Sequence, residues 1–236
     1  MKIQETAERR QVTVLHCDIV NSTVVVDSLD PEEVLSLMEA TLASWIEIIE
    51  TFRGTFVGYT GDGFQAYFGY PYAHEDAAVD ALSAAIQVSR MFAEQKDRIQ
   101  KELQCRIGIS TGQVVIGQSS TQQFGRTYLA FGATPCLAAR LEQAANPGHI
   151  LIDAATRTLA EGRFVFREIG PIPAKGFKHD VEAYEVVRKR RPGPRFDASQ
   201  LSPYVGRHRE LETLFSLWQL VNQGKGQAVL LRGEPG

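Results

Sequence analysis

The sequence predicts an α+β fold: a ferredoxin-like βαββαβ core with additional C-terminal strands and helices. Three observations support this prediction. A β-rich segment near the N-terminus is followed by a long amphipathic helical pattern. A Gly-Asp-Gly hairpin pattern comes next. A second, alanine-rich helical pattern then leads into another strand. Strand, helix, hairpin, helix and strand in this order form the βαββαβ arrangement.

The first strand and the first helix have clear sequence signals. Gln11–Asp18, QVTVLHCD, is β-rich and predicts a buried strand. The helix is predicted to begin at Asp30, which can cap it, with Pro31 at the first helical position and acidic residues in the first turn. Apolar residues then recur at three- and four-residue spacing, and Gly54 is predicted to end the helix.

The rest of the core follows from turn signals and periodicity. Thr55–Tyr70 is predicted to be a hairpin around Gly-Asp-Gly, and His74–Gln95 an amphipathic helix. Cys105–Ile109 and Gln113–Gly117 are predicted to be two strands around a Thr111-Gly112 turn. Together with the first strand, these elements complete the core.

The additional elements come after the core. His149–Asp153 predicts another strand, Ala154–Glu161 a short helix, and Arg163–Val187 a closing pair of strands. The composition then changes at Arg188, where a basic segment with prolines begins. We therefore predict that the first domain ends at residue 187.

Two further segments complete the predicted domain organisation. The sequence RKRRPGPRFDASQLSP, residues 188–203, is poor in large apolar residues and predicts a linker. Its basic run has two interpretations, a phosphate-binding segment or a solvated tether, and the tether is favoured. A new apolar pattern over residues 204–236 ends in QAVLLRGEPG, which predicts a strand running into a glycine-rich turn.

Composition narrows the class of function. The chain has 236 residues, 44% of them hydrophobic, and a net charge of -3. This balance gives no electrostatic reason to expect nucleic acid or an anionic membrane as partner. The N-terminal segment lacks the apolar core of a signal peptide, and no apolar run reaches the ~20 residues of a membrane span. The three cysteines, Cys17, Cys105 and Cys136, lack metal-binding spacing, so a reducing cytoplasm is expected.

Two aspartates are expected to meet at one edge of the sheet. Asp18 ends the first strand, and Asp62 lies in the hairpin between the second and third strands. In a ferredoxin-like sheet the third strand runs antiparallel beside the first, so the hairpin tip lies beside the end of the first strand. Two adjacent carboxylates repel each other unless a cation lies between them, and hard oxygen ligands suit Mg²⁺ or Mn²⁺. Alone, Asp62 also fits an ordinary Asp-Gly turn, and Asp18 an ordinary helix cap or turn.

Four segments in order resemble the class III adenylate/guanylate cyclase catalytic domain, over roughly residues 8–187. They are VTVLHCDIVNST, GTFVGYTGDGFQAYFGYPYAHEDAAVDAL, CRIGISTGQVVIG and YLAFGATPCLAARLEQAANPGHILI. The tail, YVGRHRELETLFSLWQLVNQGKGQAVLLRGEPG, resembles the beginning of an AAA-like or STAND-type ATPase. Of that ATPase the chain is expected to carry only a truncated start. The combination resembles bacterial regulators in which a cyclase domain precedes an ATPase.

The resemblance implies a function for each matching residue. Asp18 and Asp62 match the two metal-binding aspartates, and the Ile19 carbonyl a further ligand, for two Mg²⁺ or Mn²⁺ ions. Arg140 matches an arginine that stabilises the transition state, and Lys175 a phosphate-binding lysine. Without the resemblance, Arg140 would be interpreted as a surface residue of an amphipathic helix, and Lys175 equally well as an exposed loop residue.

The implied reaction is attack of the ribose 3′-oxygen on the α-phosphate of a nucleoside triphosphate, with release of pyrophosphate. ATP is the favoured substrate, and GTP is the alternative. In the family the active site forms between two antiparallel protomers, one supplying the metal site and the other the arginine. A homodimer located in the cytoplasm is therefore expected.

Three positions depart from the family pattern. Gly58 and Leu129 stand where many adenylyl cyclases place a lysine and an acid that read the base. Neither side chain can hydrogen-bond a purine edge. Cys136 stands where an asparagine orients the ribose, and a thiol is a weak donor. Loss of one such interaction is expected to lower turnover by ~10²–10³-fold.

The departures leave a second hypothesis open. In it the domain is a degenerate cyclase-like module that dimerises, binds a nucleotide without turnover and regulates a downstream ATPase. A third interpretation, a relative of diguanylate cyclases or polymerase palm domains, shares the βαββαβ order and the metal aspartates. It is disfavoured because the GATPCLAAR segment has no counterpart there.

Overall fold

The computed structural model describes residues 8–20, 22, 30–99, 104–121, 125–190 and 207–230. The chain divides into two compact units, residues 1–190 and 191–236. No helix in the described ranges is long and apolar enough to cross a membrane.

The first unit has the α+β fold that the sequence predicts, and its core elements follow the βαββαβ order. Its strands are β1 (Glu8–Val20), β2 (Gly54–Thr60), β3 (Gly63–Phe68), β4 (Gln104–Thr121), β5 (Gly125–Phe131), β6 (Ile150–Asp153), β7 (Phe164–Ile172) and β8 (Val181–Lys189). Its helices are α1 (Pro31–Thr51), α2 (Ala77–Ile99), α3 (Ala133–Ala144) and α4 (Ala154–Leu159).

The eight strands form one sheet in the order β2-β3-β1-β4-β6-β8-β7, and β5 pairs with β4. Strand β1 lies between β3 and β4 and is antiparallel to both. The predicted antiparallel pairing of the first and third strands is therefore present. Beyond the core, β6 adds to β4 in parallel orientation, and β8 and β7 follow it in antiparallel orientation.

The two faces of β1 are buried by different helices. Leu15 and Cys17 belong to the large core cluster that contains residues of α1 and α2. Val12 and Val14 belong to a second cluster, which contains Ala138 of α3. Successive side chains alternate between the two faces of a strand. Asp18, which continues the even-numbered series, therefore lies on the face that α3 covers.

The end of α1 differs from the prediction. Gly54 was expected to close this helix, but it is the first residue of β2, and Arg53 adopts the left-handed conformation with φ of 59°. A Cβ atom at Gly54 would lie 2.7 Å from the Phe68 ring and 2.8 Å from Ile49. Close packing, rather than helix termination, therefore explains this glycine.

The predicted turn at Thr111-Gly112 is wrong. Strand β4 runs through both residues without interruption, because the register from Val20↔Gln104 to Glu8↔Ile116 pairs it with β1 along its first thirteen residues. The second part of β4 pairs with β5, a strand whose bounds the sequence patterns did not define. The ladder with β1 outweighs the local preference of Thr-Gly for a turn.

The remaining elements lie close to their predicted positions. Helix α2 begins at Ala77, so His74 precedes it rather than starting it. Strand β8 continues to Lys189, two residues into the predicted linker, and residues 191–203 lie outside the described part of the chain. In the second unit, α5 (His208–Asn222) is followed by Gln227–Leu230, which form neither helix nor strand. The rest of the predicted strand and turn, residues 231–236, lies outside the described part.

Helix α3 packs directly on the backbone of β4. A Cβ atom at Gly108 would lie 2.1 Å from the carbonyl oxygen of Ala138 and 2.2 Å from the amide nitrogen of Glu142. Both atoms belong to the helix backbone and cannot rotate away. The absence of a side chain at Gly108 therefore sets the depth at which α3 sits on the sheet.

This contact generates a prediction about stability. Gly108→Ala should lower the free energy of unfolding by about 3 kcal/mol, the upper part of the usual overpacking range, because α3 must lift from β4. Gly112→Ala on the same strand is the matched control. Its Cβ would meet only the Thr134 hydroxyl, at 2.6 Å, which can rotate. Urea unfolding measures the loss of stability in both variants. If Gly108→Ala loses no more stability than Gly112→Ala, α3 can move away from β4 at little cost.

Candidate active site

Asp18 and Asp62 lie at the same edge of the sheet, brought there by the backbone. Asp62 is in the turn between β2 and β3, and the next residue, Gly63, begins β3. A Cβ atom at Gly63 would lie 1.9 Å from the carbonyl oxygen of Cys17 and 2.9 Å from the Cα atom of Asp18. The hairpin tip therefore touches the backbone of β1 beside Asp18.

Each aspartate has a hydrogen-bond donor. Arg106 Nη2 donates to Asp18 Oδ2 at 2.5 Å, and the two residues are direct partners in the β1–β4 register. The Ser22 hydroxyl donates to Asp62 Oδ2. These hydrogen bonds use one oxygen of each carboxylate.

A third acid, Glu142 of α3, faces this pair. It is 8% exposed, and its Oε1 lies 3.5 Å from Arg106 Nε. Neither atom has a hydrogen-bond partner among the described residues. Burial, followed by the charge of Asp18, raises the pKa of Glu142 to about 7, with a smaller contribution from Asp62, while Arg106 acts in the opposite direction.

The pKa of Arg106 reflects the same grouping of charges. The hydrogen bond with Asp18 raises it, and the charges of Glu142, Asp18 and Asp62 act in the same direction. One guanidinium therefore lies among three carboxyl groups, and the charge of Asp18 adds to the larger effect of burial in raising the pKa of Glu142. Such an excess of negative charge favours binding of a further cation.

The donor set fits a hard divalent cation. Carboxylate and backbone carbonyl oxygens are the ligands that Mg²⁺ and Mn²⁺ prefer. Ile19, whose carbonyl is the predicted additional ligand, follows Asp18 in β1, and its side chain is buried. Within the described ranges, no group of three or more histidine, cysteine or acidic residues is arranged to hold a metal. The candidate cation site is the pair Asp18 and Asp62, and the Ile19 carbonyl remains a predicted further ligand.

Arg140 of α3 and Lys175, between β7 and β8, lie near each other. Arg140 Nε donates to the backbone carbonyl of Lys175 at 3.3 Å, and its Nη1 donates to Gln143 Oε1 at 2.6 Å. Lys175 is exposed in the connection between β7 and β8. The hydrogen bonds of Arg140 thus tie α3 to this connection and do not involve Asp18 or Asp62 of the same chain.

The three residues that depart from the family pattern occupy separate elements. Gly58 lies in β2 opposite Gln65, where the β2–β3 register is irregular. Leu129 lies in β5 opposite Gly117 and is half-buried. Cys136 is exposed in the first turn of α3.

A polar network connects β5, the strand that carries Leu129, with β3 and β1. The Ala130 amide donates to the Tyr67 hydroxyl at 3.1 Å, and that hydroxyl donates to Gln65 Oε1 at 3.3 Å. Gln65 Nε2 lies 2.7 Å from His16 Nε2. Burial lowers the pKa of His16 to about 4, so its ring is neutral at pH 7 and accepts this hydrogen bond.

Sequence reasoning missed Arg106, Glu142, Ser22 and Gln65. A signal existed for Arg106, because the βαββαβ topology also places β4 beside β1, and a register would have aligned Arg106 with Asp18. No comparable signal existed for Glu142, whose position depends on how α3 docks on Gly108.

Comparison with known proteins identifies the family. The model of the adenylate and guanylate cyclase catalytic domain matches residues 4–188. An uncharacterized protein of Rhizobium meliloti is 31% identical over 97% of this chain, which spans 22% of that relative. Adenylate cyclase 1 of the same organism is 29% identical over 77% of this chain, and the match spans 28% of its length. The chain thus spans about a quarter of these relatives.

Solved structures show the same fold. The adenylyl cyclase CyaB from P. aeruginosa is 31% identical, with a TM-score of 0.74 over 79% of this chain and 98% of its own. The guanylyl cyclase Cya2 is 27% identical, with a TM-score of 0.71 over 80% of this chain and 97% of its own. The family resemblance seen in the sequence is therefore confirmed. The chain belongs to the class III adenylate/guanylate cyclase catalytic domain family.

Proposed function

We propose that this chain is a metal-dependent purine nucleotide cyclase that converts ATP into 3′,5′-cyclic AMP and pyrophosphate. The observation that carries the proposal is the meeting of Asp18 and Asp62 at one sheet edge, fixed by the contact of Gly63 with the backbone of Cys17. Membership of the cyclase family gives this pair of carboxylates its chemical context.

The residues at this edge would hold the metal ions. Asp18 and Asp62 supply carboxylate oxygens, and the Ile19 carbonyl supplies a further one. Two Mg²⁺ or Mn²⁺ ions bound there would activate the ribose 3′-hydroxyl and neutralise the triphosphate. Arg106, which already lies among the carboxylates, adds a positive charge at the place where phosphate oxygens would enter.

Two further cations would act on the phosphates. Arg140 would neutralise the charge that develops on the reacting phosphorus, and Lys175 would bind phosphate oxygens. The hydrogen bond from Arg140 to the Lys175 carbonyl holds these residues together. Because Arg140 makes no hydrogen bond with Asp18 or Asp62 of its own chain, we assign its catalytic use to a second copy in a homodimer.

ATP is the favoured nucleotide because CyaB and adenylate cyclase 1 are described as adenylyl cyclases at 31% and 29% identity. GTP is the competing substrate, since the guanylyl cyclase Cya2 has 27% identity. Gly58 and Leu129 offer no side-chain hydrogen bond to either base.

Gly58, Leu129 and Cys136 support a second candidate function. In this alternative the domain dimerises and binds a nucleotide without turning it over, and it regulates a downstream ATPase.

We propose that residues 8–187 are the cyclase domain, residues 188–203 a linker, and residues 204–236 the beginning of an AAA/STAND-like ATPase. We place the domain in the cytoplasm, where its nucleotide substrate is available.

The first prediction about activity concerns the metal site. Asp62→Ala should lower cyclic nucleotide formation with Mn²⁺ and ATP or GTP by more than about 100-fold, because even residues that merely support metal ligands contribute 10–100-fold. Glu161→Ala, which removes an exposed acid between α4 and β7, should retain the activity. Product formation by purified protein is measured by chromatography. Wild-type protein that binds nucleotide with Mg²⁺ in calorimetry but forms no product above Asp62→Ala would support the second candidate.

A second prediction tests the shared site. Asp62→Ala and Arg140→Ala should each be inactive alone, because every site in either homodimer lacks one group. After mixing and subunit exchange, about a quarter of the wild-type activity should return, since half of the dimers are mixed and each contains one intact site. Absence of recovery, although labelled subunits exchange, would rule out a site shared in this way.

A third prediction concerns the ribose position. Cys136→Asn should raise turnover by ~10²-fold, because a carboxamide restores a strong hydrogen bond that a thiol cannot provide. Cys136→Ala is the control and should not raise turnover. If the turnover of Cys136→Asn equals that of Cys136→Ala, the thiol at position 136 does not limit turnover.

A further inference from the structure

Arg106 lies between two acids from different elements. Its Nη2 atom donates to Asp18 at the end of β1, at 2.5 Å. On its other side, its Nε atom lies 3.5 Å from Glu142 Oε1 of α3. That distance is beyond a normal hydrogen bond, and both atoms are buried without a hydrogen-bond partner among the described residues. The guanidinium thus makes one hydrogen bond to Asp18 and only approaches Glu142.

A cation bound at Asp18 would change the contacts of Arg106 with the two acids. Arg106 and a divalent ion are both positively charged, so they compete for the same carboxylate. Glu142 is the acid to which Arg106 can turn, and a shift of about 0.6 Å would bring 3.5 Å to a normal 2.9 Å hydrogen bond. The new bond would satisfy both unpartnered atoms.

Glu142 is firmly connected to α3 and to the sheet. Its amide nitrogen belongs to the tight contact of α3 with Gly108, and its neighbour Leu141 is fully buried. A hydrogen bond from Arg106 would therefore add a link between β4 and the same turn of α3. Two residues earlier, this helix carries Arg140.

We propose that Arg106 and Glu142 link cation binding at Asp18 to the seating of α3 on the sheet. Without a cation, Arg106 neutralises Asp18. With a cation, it turns to Glu142 and forms a hydrogen bond that holds α3, the helix that carries Arg140, more firmly on β4. Glu142 is thus a positioning residue, because it acts through α3 and not on the substrate. This inference rests on the proposed cation site at Asp18 and Asp62.

The test measures amide hydrogen exchange in α3, residues 133–144, with and without saturating Mn²⁺ and without nucleotide. In the wild-type chain, Mn²⁺ should slow exchange by about tenfold, the effect of one charge-assisted hydrogen bond. Glu142→Met, which keeps the length of the side chain but has no oxygen to accept from Arg106, should bind Mn²⁺, as shown by calorimetry, and show no slowing. Glu142→Asp is the matched control, because it keeps the charge but is too short to reach Arg106, and it too should show no slowing.

Three results would overturn the inference. Slowing that persists in Glu142→Met would show that Mn²⁺ acts on α3 by another route. Slowing that persists in Glu142→Asp would show that charge alone is sufficient. An unchanged α3 in wild-type protein that binds Mn²⁺ would show that Arg106 does not turn. A failure of the cyclase proposal looks different, because slowed exchange without cyclic nucleotide formation would refute turnover and leave this link intact.

Discussion

The contact between the hairpin tip and β1 is the constraint on which the rest of the site depends. Gly63 can approach the Cys17 carbonyl closely only because it has no side chain. This approach holds Asp62 beside Asp18 although a helix and a strand separate them along the chain. It also fixes the first pairs of the β1–β3 ladder, which begins at Cys17↔Phe64. One backbone contact therefore sets both the strand register and the distance between the two acids.

The electrostatics of the site follow from that geometry. Asp18, Asp62 and Glu142 are gathered around a single guanidinium, and one of these acids lies in the protein interior. Grouping like charges near the interior costs free energy, and proteins retain such groups mainly where a function needs them. The hydrogen bond from Arg106 to Asp18 offsets part of this cost in the protein without bound ions. A divalent cation would offset more of it.

The sequence predicted the parts of this structure that depend on periodicity and topology. The β-rich segment of β1, the start of α1 after Asp30 and the Gly-Asp-Gly hairpin are local signals, although the Asp30 side chain makes no capping hydrogen bond. The βαββαβ order places two of these elements side by side. Two errors arose where tertiary contacts outweigh local preference. Thr111-Gly112 is part of a ladder with β1, and Gly54 is a glycine because Phe68 and Ile49 pack against it.

The parts that could not be predicted depend on side chains meeting across elements. The relation between Arg106 and Glu142 requires the register of β4 and the docking depth of α3, and neither is encoded in any short stretch of sequence. The network of Gln65, Tyr67 and His16 likewise requires the β1–β3 register, and its hydrogen bond from the Ala130 amide requires β5 to reach Tyr67. Family motifs mark single positions, so they identified Arg140 without revealing its hydrogen bond to the Lys175 carbonyl.

The close approach at Gly63 also bears on how such a domain evolves. Because backbone atoms set the separation of Asp18 and Asp62, the frame of the site does not depend on the side chains that perform chemistry. Residues that contact the base or the ribose can then be replaced while the separation of the two aspartates stays the same. From the resemblance to the family, Gly58, Leu129 and Cys136 are expected to be three such replacements. In this domain the glycine contacts set the shape of the site independently of the side chains at the base and ribose positions.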